Sequence, residues 1–279
     1  MSSMVKGSRR SEMVKHSLIW AVLLFELLPL YMMAQISFKD NSTFLKQPWF
    51  PTEIASWQWE NYAFAFKLIV PYIANTVFVA VTGTLLSLTL SICGAYFFAR
   101  YKVPGSTFLW AAFLFLMLMP GVANLVPLFN LLKNLNLLNT LWALIILGVA
   151  GGQVFNIYVL RNFIEDIPKD LFEAAEIDGA SHLSQIWNVV VPMSGPIIGT
   201  LAILSFLGKW NDFLMPLLVL RDKELFTLGV GLIYLDGEYV KHWGRIMAAF
   251  VVSSLPILVI FLFTMRLFVR GLSSGAVKG

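Results

Sequence analysis

Long stretches without a single ionised side chain constrain this sequence most. Residues 68–99, 103–132, 134–160 and 246–265 contain no Asp, Glu, Lys or Arg, and 18–36 is interrupted only by Glu26. About 20 apolar residues cross the hydrocarbon core of a bilayer as a helix, so each run is long enough to span. The chain as a whole is 58% hydrophobic and only 13% charged, against roughly half and a quarter in soluble domains. Such a composition excludes a soluble enzyme. The reading is therefore an all-α, polytopic membrane protein with six transmembrane helices in one membrane domain, 1–279. The expected spans are 16–37, 72–99, 107–130, 140–160, 195–220 and 245–268.

Charge then orients the spans. Lys6, Arg9, Arg10, Lys15, Arg100, Lys102, Arg161, Lys169, Arg266, Arg270 and Lys278 fall on one side if the N-terminus is cytoplasmic, eleven of the twenty basic residues. That asymmetry is what the positive-inside rule counts. Both termini and the 161–191 loop are then expected in the cytoplasm, in a multi-pass cell-membrane protein. The basic start before an apolar stretch resembles a signal peptide, yet no A-x-A-like site follows it and further spans do, so it reads as a retained first span. A net charge of +4 spread between apolar runs gives no continuous basic face for nucleic acid. Cys93 has no partner for a disulfide, and His16, His182 and His242 lack metal-ligand spacing. No metal or cofactor is expected on this chain.

The 161–191 loop carries the sharpest pattern. Pro168 suits a helix's first turn, Asp170 and Glu173 lie near the positive end of its dipole, and Gly179 can adopt the left-handed conformation that ends it. Ser181 can cap a second helix, on which Leu183, Ile186, Trp187 and Val190 fall at i, i+3, i+4 and i+7. Ala174 and Ala175 either present a shallow surface to another protein or are simply good helix formers.

Glu173-Ala174-Ala175, Gly179, Val189 and Val191-Pro192 resemble the EAA motif of binding-protein-dependent ABC permeases, with Val189 and Val191 in place of that motif's Ile and Leu. Ser37-Phe38-Lys39, Asn75-Thr76, Ala95 to Tyr101, Pro104-Gly105, Met119-Pro120, Pro127-Leu128-Phe129, Leu137 to Thr140, Trp210-Asn211-Asp212-Phe213 and Pro216-Leu217 are similar to the carbohydrate branch, MalG type. Segment 240–245 departs from that pattern. The resemblance implies a type I importer permease whose 161–191 loop is a coupling helix. Glu173, Ala174, Ala175, Asp178 and Gly179 would contact an ATPase subunit, and Leu171 and Ile177 would seat the helix. It further implies that Gly275, Val277, Lys278 and Gly279 form a tail entering the ATPase dimer, and that a second, MalF-type permease and an extracytoplasmic substrate-binding protein complete the complex.

A phosphate-binding loop needs Gly, four residues, then Gly-Lys-Ser/Thr. The one Gly-Lys pair, Gly208-Lys209, is followed by Trp210, and Ile203 stands at the first glycine position. ATP and Mg are thus expected on the partner ATPase, and no hydrolysis is expected here. Polar residues inside spans usually face a path or a partner helix. The candidates are Glu26, Asn75, Asn124, Lys209, Asn211 and Asp212. Asn75, Asn124, Trp210, Asn211 and Asp212 form the expected substrate path. Lys209 and Asp212, at i and i+3, can pair on one face, and Trp210 and Phe213 can stack on sugars or merely pack. The 221–242 segment is expected to reach the substrate-binding protein or to be a solvated turn. Sugar import is the leading reading. Other solutes such as polyols or glycerol phosphate, and an ion-coupled transporter using Glu26 and Asp212, are the alternatives.

Overall fold

The computed structural model describes residues 9–236 and 241–276, and these are helical throughout apart from short connections. Four helices are long and apolar enough to cross a membrane singly: α1 (Arg9–Ser37), α3 (Trp59–Arg100), α6 (Leu141–Glu165) and α13 (Trp243–Ala276). A fifth candidate is a bent pair, His182–Met193 followed by Gly195–Trp210, with 86° between the two halves. All six expected apolar segments are helical, but two are broken.

The first break falls in 107–130. α4 (Ser106–Leu118) stops at Met119, whose φ −70°, ψ 128° is extended. Pro120 follows, and its ring disfavours helical backbone in the residue before it. A 3₁₀ turn (Gly121–Asn124) leads into α5 (Leu125–Asn134). The second break falls in 195–220. α10 (Gly195–Trp210) ends, Asn211 to Phe213 leave the helix, and α11 (Leu214–Val219) resumes. Pro216 has no N–H for the carbonyl four residues back, and its ring would strike that carbonyl. Position 212 therefore cannot continue a regular helix into α11.

The chain forms two compact units, one of 1–70 with 232–255 and one of 71–231 with 256–279. In the first, the Ser37-Phe38-Lys39 motif acquires a physical meaning. Ser37 Oγ and Tyr62 Oη are 2.7 Å apart, and the Phe38 ring stacks 4.2 Å from Trp57 with Trp59 and Tyr62 around it. Lys39 is 1% exposed, and its Nζ donates to the carbonyls of Gln47 and Phe50, each at 2.6 Å. Asn61 Nδ2 donates back to the carbonyls of Ser37 and Lys39. A buried ammonium is tolerated only when hydrogen-bonded in this way. Asp40 caps α2 (Asn41–Lys46), its Oδ1 accepting from Thr43 N and Ser42 Oγ. These bonds hold its carboxyl down to about 2. α1 buries nothing along its apolar window, as befits a helix apolar all round.

In the second unit, Leu88, Ile92, Tyr96, Leu160, Ile164, Phe172, Val190 and Leu201 form one buried cluster. Polar side chains stitch α3 to α6: Gln153 Oε1 accepts from Ser91 Oγ, Gln153 Nε2 donates to the Ser87 carbonyl, and Asn156 Nδ2 donates to Ser87 Oγ. Such bonds serve as glue where apolar burial cannot separate helix from lipid.

Candidate coupling surface and translocation cleft

The loop after α6 folds as two helices around a sharp bend. α7 (Lys169–Ile177) starts one residue later than expected, with Pro168 at its N-cap. It ends at Gly179, which has φ +76°. Gly179 N donates to the Glu176 carbonyl at 3.0 Å and Ala180 N to the Ala175 carbonyl at 2.9 Å. This pair of bonds is the Schellman closure. Ser181 Oγ then accepts from Ser184 N and starts α8 (His182–Gln185). A π-helical turn, Ile186–Val190, and α9 (Val191–Met193) follow.

That π turn corrects the expected amphipathic stripe. Ile186 and Val190 are buried together with Gln185, while Leu183 and Trp187 are exposed. An i→i+5 turn inserts extra rotation and shifts the face that meets the core.

All seven expected coupling residues lie on the outer side. Leu171, Glu173, Ala174, Ile177, Asp178 and Gly179 are exposed, and Ala175 is half-buried. Leu171 and Ile177 point outward, so on its own chain α7 is seated by Phe172, which is fully buried. The Arg100 guanidinium, at the foot of α3, lies 4.0 Å above the Phe172 ring, and the Tyr96 ring lies 6.3 Å from it, tilted by 40°. A cation over an aromatic face gains electrostatically from the ring quadrupole. Next to it, Tyr96 Oη donates to Gln185 Oε1 at 2.8 Å, and both Tyr96 and Tyr101 lie 3.2 Å from His182 Nδ1. Sequence reading missed this cluster. Tyr96, Arg100 and Tyr101 stood inside a recognised motif, but no spacing rule links them to Phe172 or His182 over 70 residues away.

The expected substrate-path residues scatter. Asn75 Nδ2 donates to the carbonyls of Glu224 and Phe226, and Thr76 Oγ1 accepts from Leu228 N, so this pair pins the following loop. Asn124 ends the 3₁₀ turn before α5 and makes no side-chain cap. Trp210 is buried and stacks on Phe206, while Asn211 is exposed. Asp212 lines an open cleft of about 430 Å³ between α6 and α10. Lys209, noted in the sequence as a possible partner of Asp212, lines the same cleft, but its Nζ donates to Ser205 Oγ at 2.7 Å instead. Of the expected tail, Gly275 lies in the last turn of α13, and Val277, Lys278 and Gly279 lie outside the described residues, as do Gly237 and Glu238. Among the described residues no group of three or more His, Cys, Asp or Glu side chains is placed to hold a metal.

A bent, outward-facing loop on a bundle of long apolar helices is the setting in which comparison with other proteins becomes decisive. Residues 91–274 match the family described as binding-protein-dependent transport system inner membrane component. The chain belongs to that family. Among its relatives, the probable ABC transporter permease protein YurM of Bacillus subtilis is 32% identical over 277 residues, covering 97% of this chain and 91% of its own. The diacetylchitobiose uptake system permease protein NgcG of Streptomyces coelicolor is 32% identical over 98% of this chain and 91% of its own. The trehalose/maltose transport system permease protein MalG of Thermococcus litoralis is 31% identical over 91% and 92%. A crystal structure of a bacterial ABC transporter involved in the import of the acidic polysaccharide alginate contains a chain with the same fold, at TM-score 0.82 and 23% identity, covering 95% of this chain and 99% of that one.

The protein is thus a multi-pass membrane permease, a transport subunit and not an enzyme, and ATP hydrolysis belongs to a separate subunit. A permease of this family works with an ATPase and a substrate-binding protein. The family match covers the bend at Gly179, Phe172 beneath it and the cleft at Lys209.

Proposed function

We propose that this chain forms half of the translocation path of an ATP-driven importer of a sugar, an oligosaccharide of two or more rings. A second, different permease subunit supplies the other half. α7 and its bend dock in the ATPase, with Leu171, Glu173, Ala174, Ala175, Ile177, Asp178 and Gly179 as the contact surface. Both termini and this loop face the cytoplasm, and Gly275, Val277, Lys278 and Gly279 reach the ATPase dimer. ATP and Mg²⁺ remain on the ATPase, and lipid surrounds α1. Relatives named for diacetylchitobiose and for trehalose and maltose support the substrate class.

One observation carries the coupling assignment. α7 offers its motif residues to the outside while Phe172 roots it in the same cluster as α3, α6 and α10. A push on that surface is therefore delivered to membrane helices through close-packed side chains, which transmit displacement because packed interiors compress little. The test is cross-linking of Ala174→Cys to the co-expressed ATPase in native membranes. ATP-sensitive adducts are expected. Labelling of Ala174→Cys only from the outer compartment would refute both docking and orientation.

A further inference from the structure

The cleft between α6 and α10 is built around a lysine in the last turn of the apolar helix α10. Intramembrane charges are costly and face a partner group or a water-filled cavity. Here the cost is met in an unusual way. The Lys209 stem threads between two glycines on neighbouring helices: a Cβ on Gly83 of α3 would sit 2.8 Å from Lys209 Cε, and one on Gly148 of α6 would sit 3.0 Å from it. A side chain at either position would push the lysine stem aside. The stem is packed, and Ser205 Oγ holds the ammonium at the cleft wall. An ammonium carries three N–H donors. Ser205 takes one at 2.7 Å and its carbonyl lies at 3.5 Å, so donor capacity is left toward the cleft.

Asp212 lines the cleft at the end of α10, in the break that Pro216 imposes. Its Oδ1 accepts a long bond, 3.4 Å, from Met215 N. A carboxylate has about four acceptor positions, so most of its capacity is also unspent. Phe155 adds a flat apolar ring to the same wall. One strong donor, one strong acceptor and an aromatic face are what the alternating hydroxyl edge and C–H face of a sugar ring require. The volume, about 430 Å³, lies within the range of roughly 300–1,000 Å³ typical of small-molecule sites.

We propose that this cleft binds one pyranose ring of the passing sugar, with Lys209 donating to a ring hydroxyl, Asp212 accepting from another and Phe155 covering the apolar face. The assignment rests on the permease reading and adds that this chain itself selects the solute. Because lysine and aspartate balance each other, the site suits a neutral sugar.

Two variants test it in the reconstituted complex of both permeases, the ATPase and the binding protein, with trehalose, maltose and diacetylchitobiose as probes. Lys209→Met keeps the stem but removes the donor. It is expected to lower sugar carried per ATP hydrolysed at least tenfold. Gly151→Leu projects into the cleft, and a Cβ there meets no atom within 4 Å. It is expected to block uptake of the same sugar while the four components still co-purify. Unaltered uptake by either variant overturns the subsite. So does loss of co-purification of the second permease by Gly151→Leu, which would assign the cleft to a protein interface. If the unmodified complex carries none of the three probes with ATP, the sugar-import reading fails instead, independently of both variants.

Discussion

Gly179 is the position where conformation can be separated from contact. Its φ of +76° lies in the left-handed region, yet a Cβ built there meets nothing within 4 Å. Within this chain a side chain at 179 therefore incurs only backbone strain. Left-handed backbone costs an ordinary L-residue about 1–2 kcal/mol, with a β-branched residue at the upper end and asparagine well below, since it visits this region readily. Between one and two kcal/mol is a factor of roughly 5–30 in the ratio of the bent loop to its alternatives. ATP-dependent sugar uptake in membrane vesicles should thus rank glycine and Gly179→Asn near each other. Gly179→Ala should fall several-fold and Gly179→Val more than tenfold, with equal amounts of protein in the membrane. Two results would refute the reasoning. Normal uptake by Gly179→Val would remove the bend from the coupling surface. Equal damage from Asn and Val would show that bulk against the ATPase, and not left-handed backbone, decides.

Other outcomes follow from the same structure. Phe172→Ala should destabilise the foot of the bundle by about 3–5 kcal/mol, the range for truncating a buried phenylalanine. It should also leave ATP hydrolysis running with little uptake, read by thermal melting and by the uptake-to-hydrolysis ratio. Lys39→Met orphans the carbonyls of Gln47 and Phe50, at roughly 1–3 kcal/mol each. Limited proteolysis should then cut faster within 40–58. Asp40 is held down to about 2 by its bonds to Ser42 and Thr43, below an unfolded value near 4. Its cap on α2 is therefore fully effective above pH 4 and is lost as pH falls from about 4 through 2. Hydrogen exchange of 41–46 should accelerate across that window, and Asp40→Asn should abolish the pH dependence.

Much of this protein was legible along the chain because bilayer and backbone chemistry act locally. Uncharged runs became helices since hydrocarbon leaves the backbone no other partner than itself. Gly179 ended α7 and Ser181 capped α8, because caps depend on residues only two or three positions apart. The prolines were legible only in part. Pro120 and Pro216 stand in motifs, yet their consequence, helix breaks of six residues (119–124) and three (211–213), depends on which backbone positions the rest of the fold leaves free to reroute.

Side-chain roles inside the bundle were decided by tertiary structure alone. The bonds of Asn75 to the carbonyls at 224 and 226, and the burial of Phe172 where Leu171 and Ile177 are exposed, are visible only in the folded chain. In a chain this apolar nearly every helix face is hydrophobic, so periodicity carries little contrast between the side that packs on protein and the side that meets lipid. The meeting of Gly83, Gly148 and Lys209 brings together three helices separated by 65 and 61 residues of chain. No local rule reaches that far, because which glycine lies opposite which lysine depends on how far each helix has rotated and slid against its neighbours.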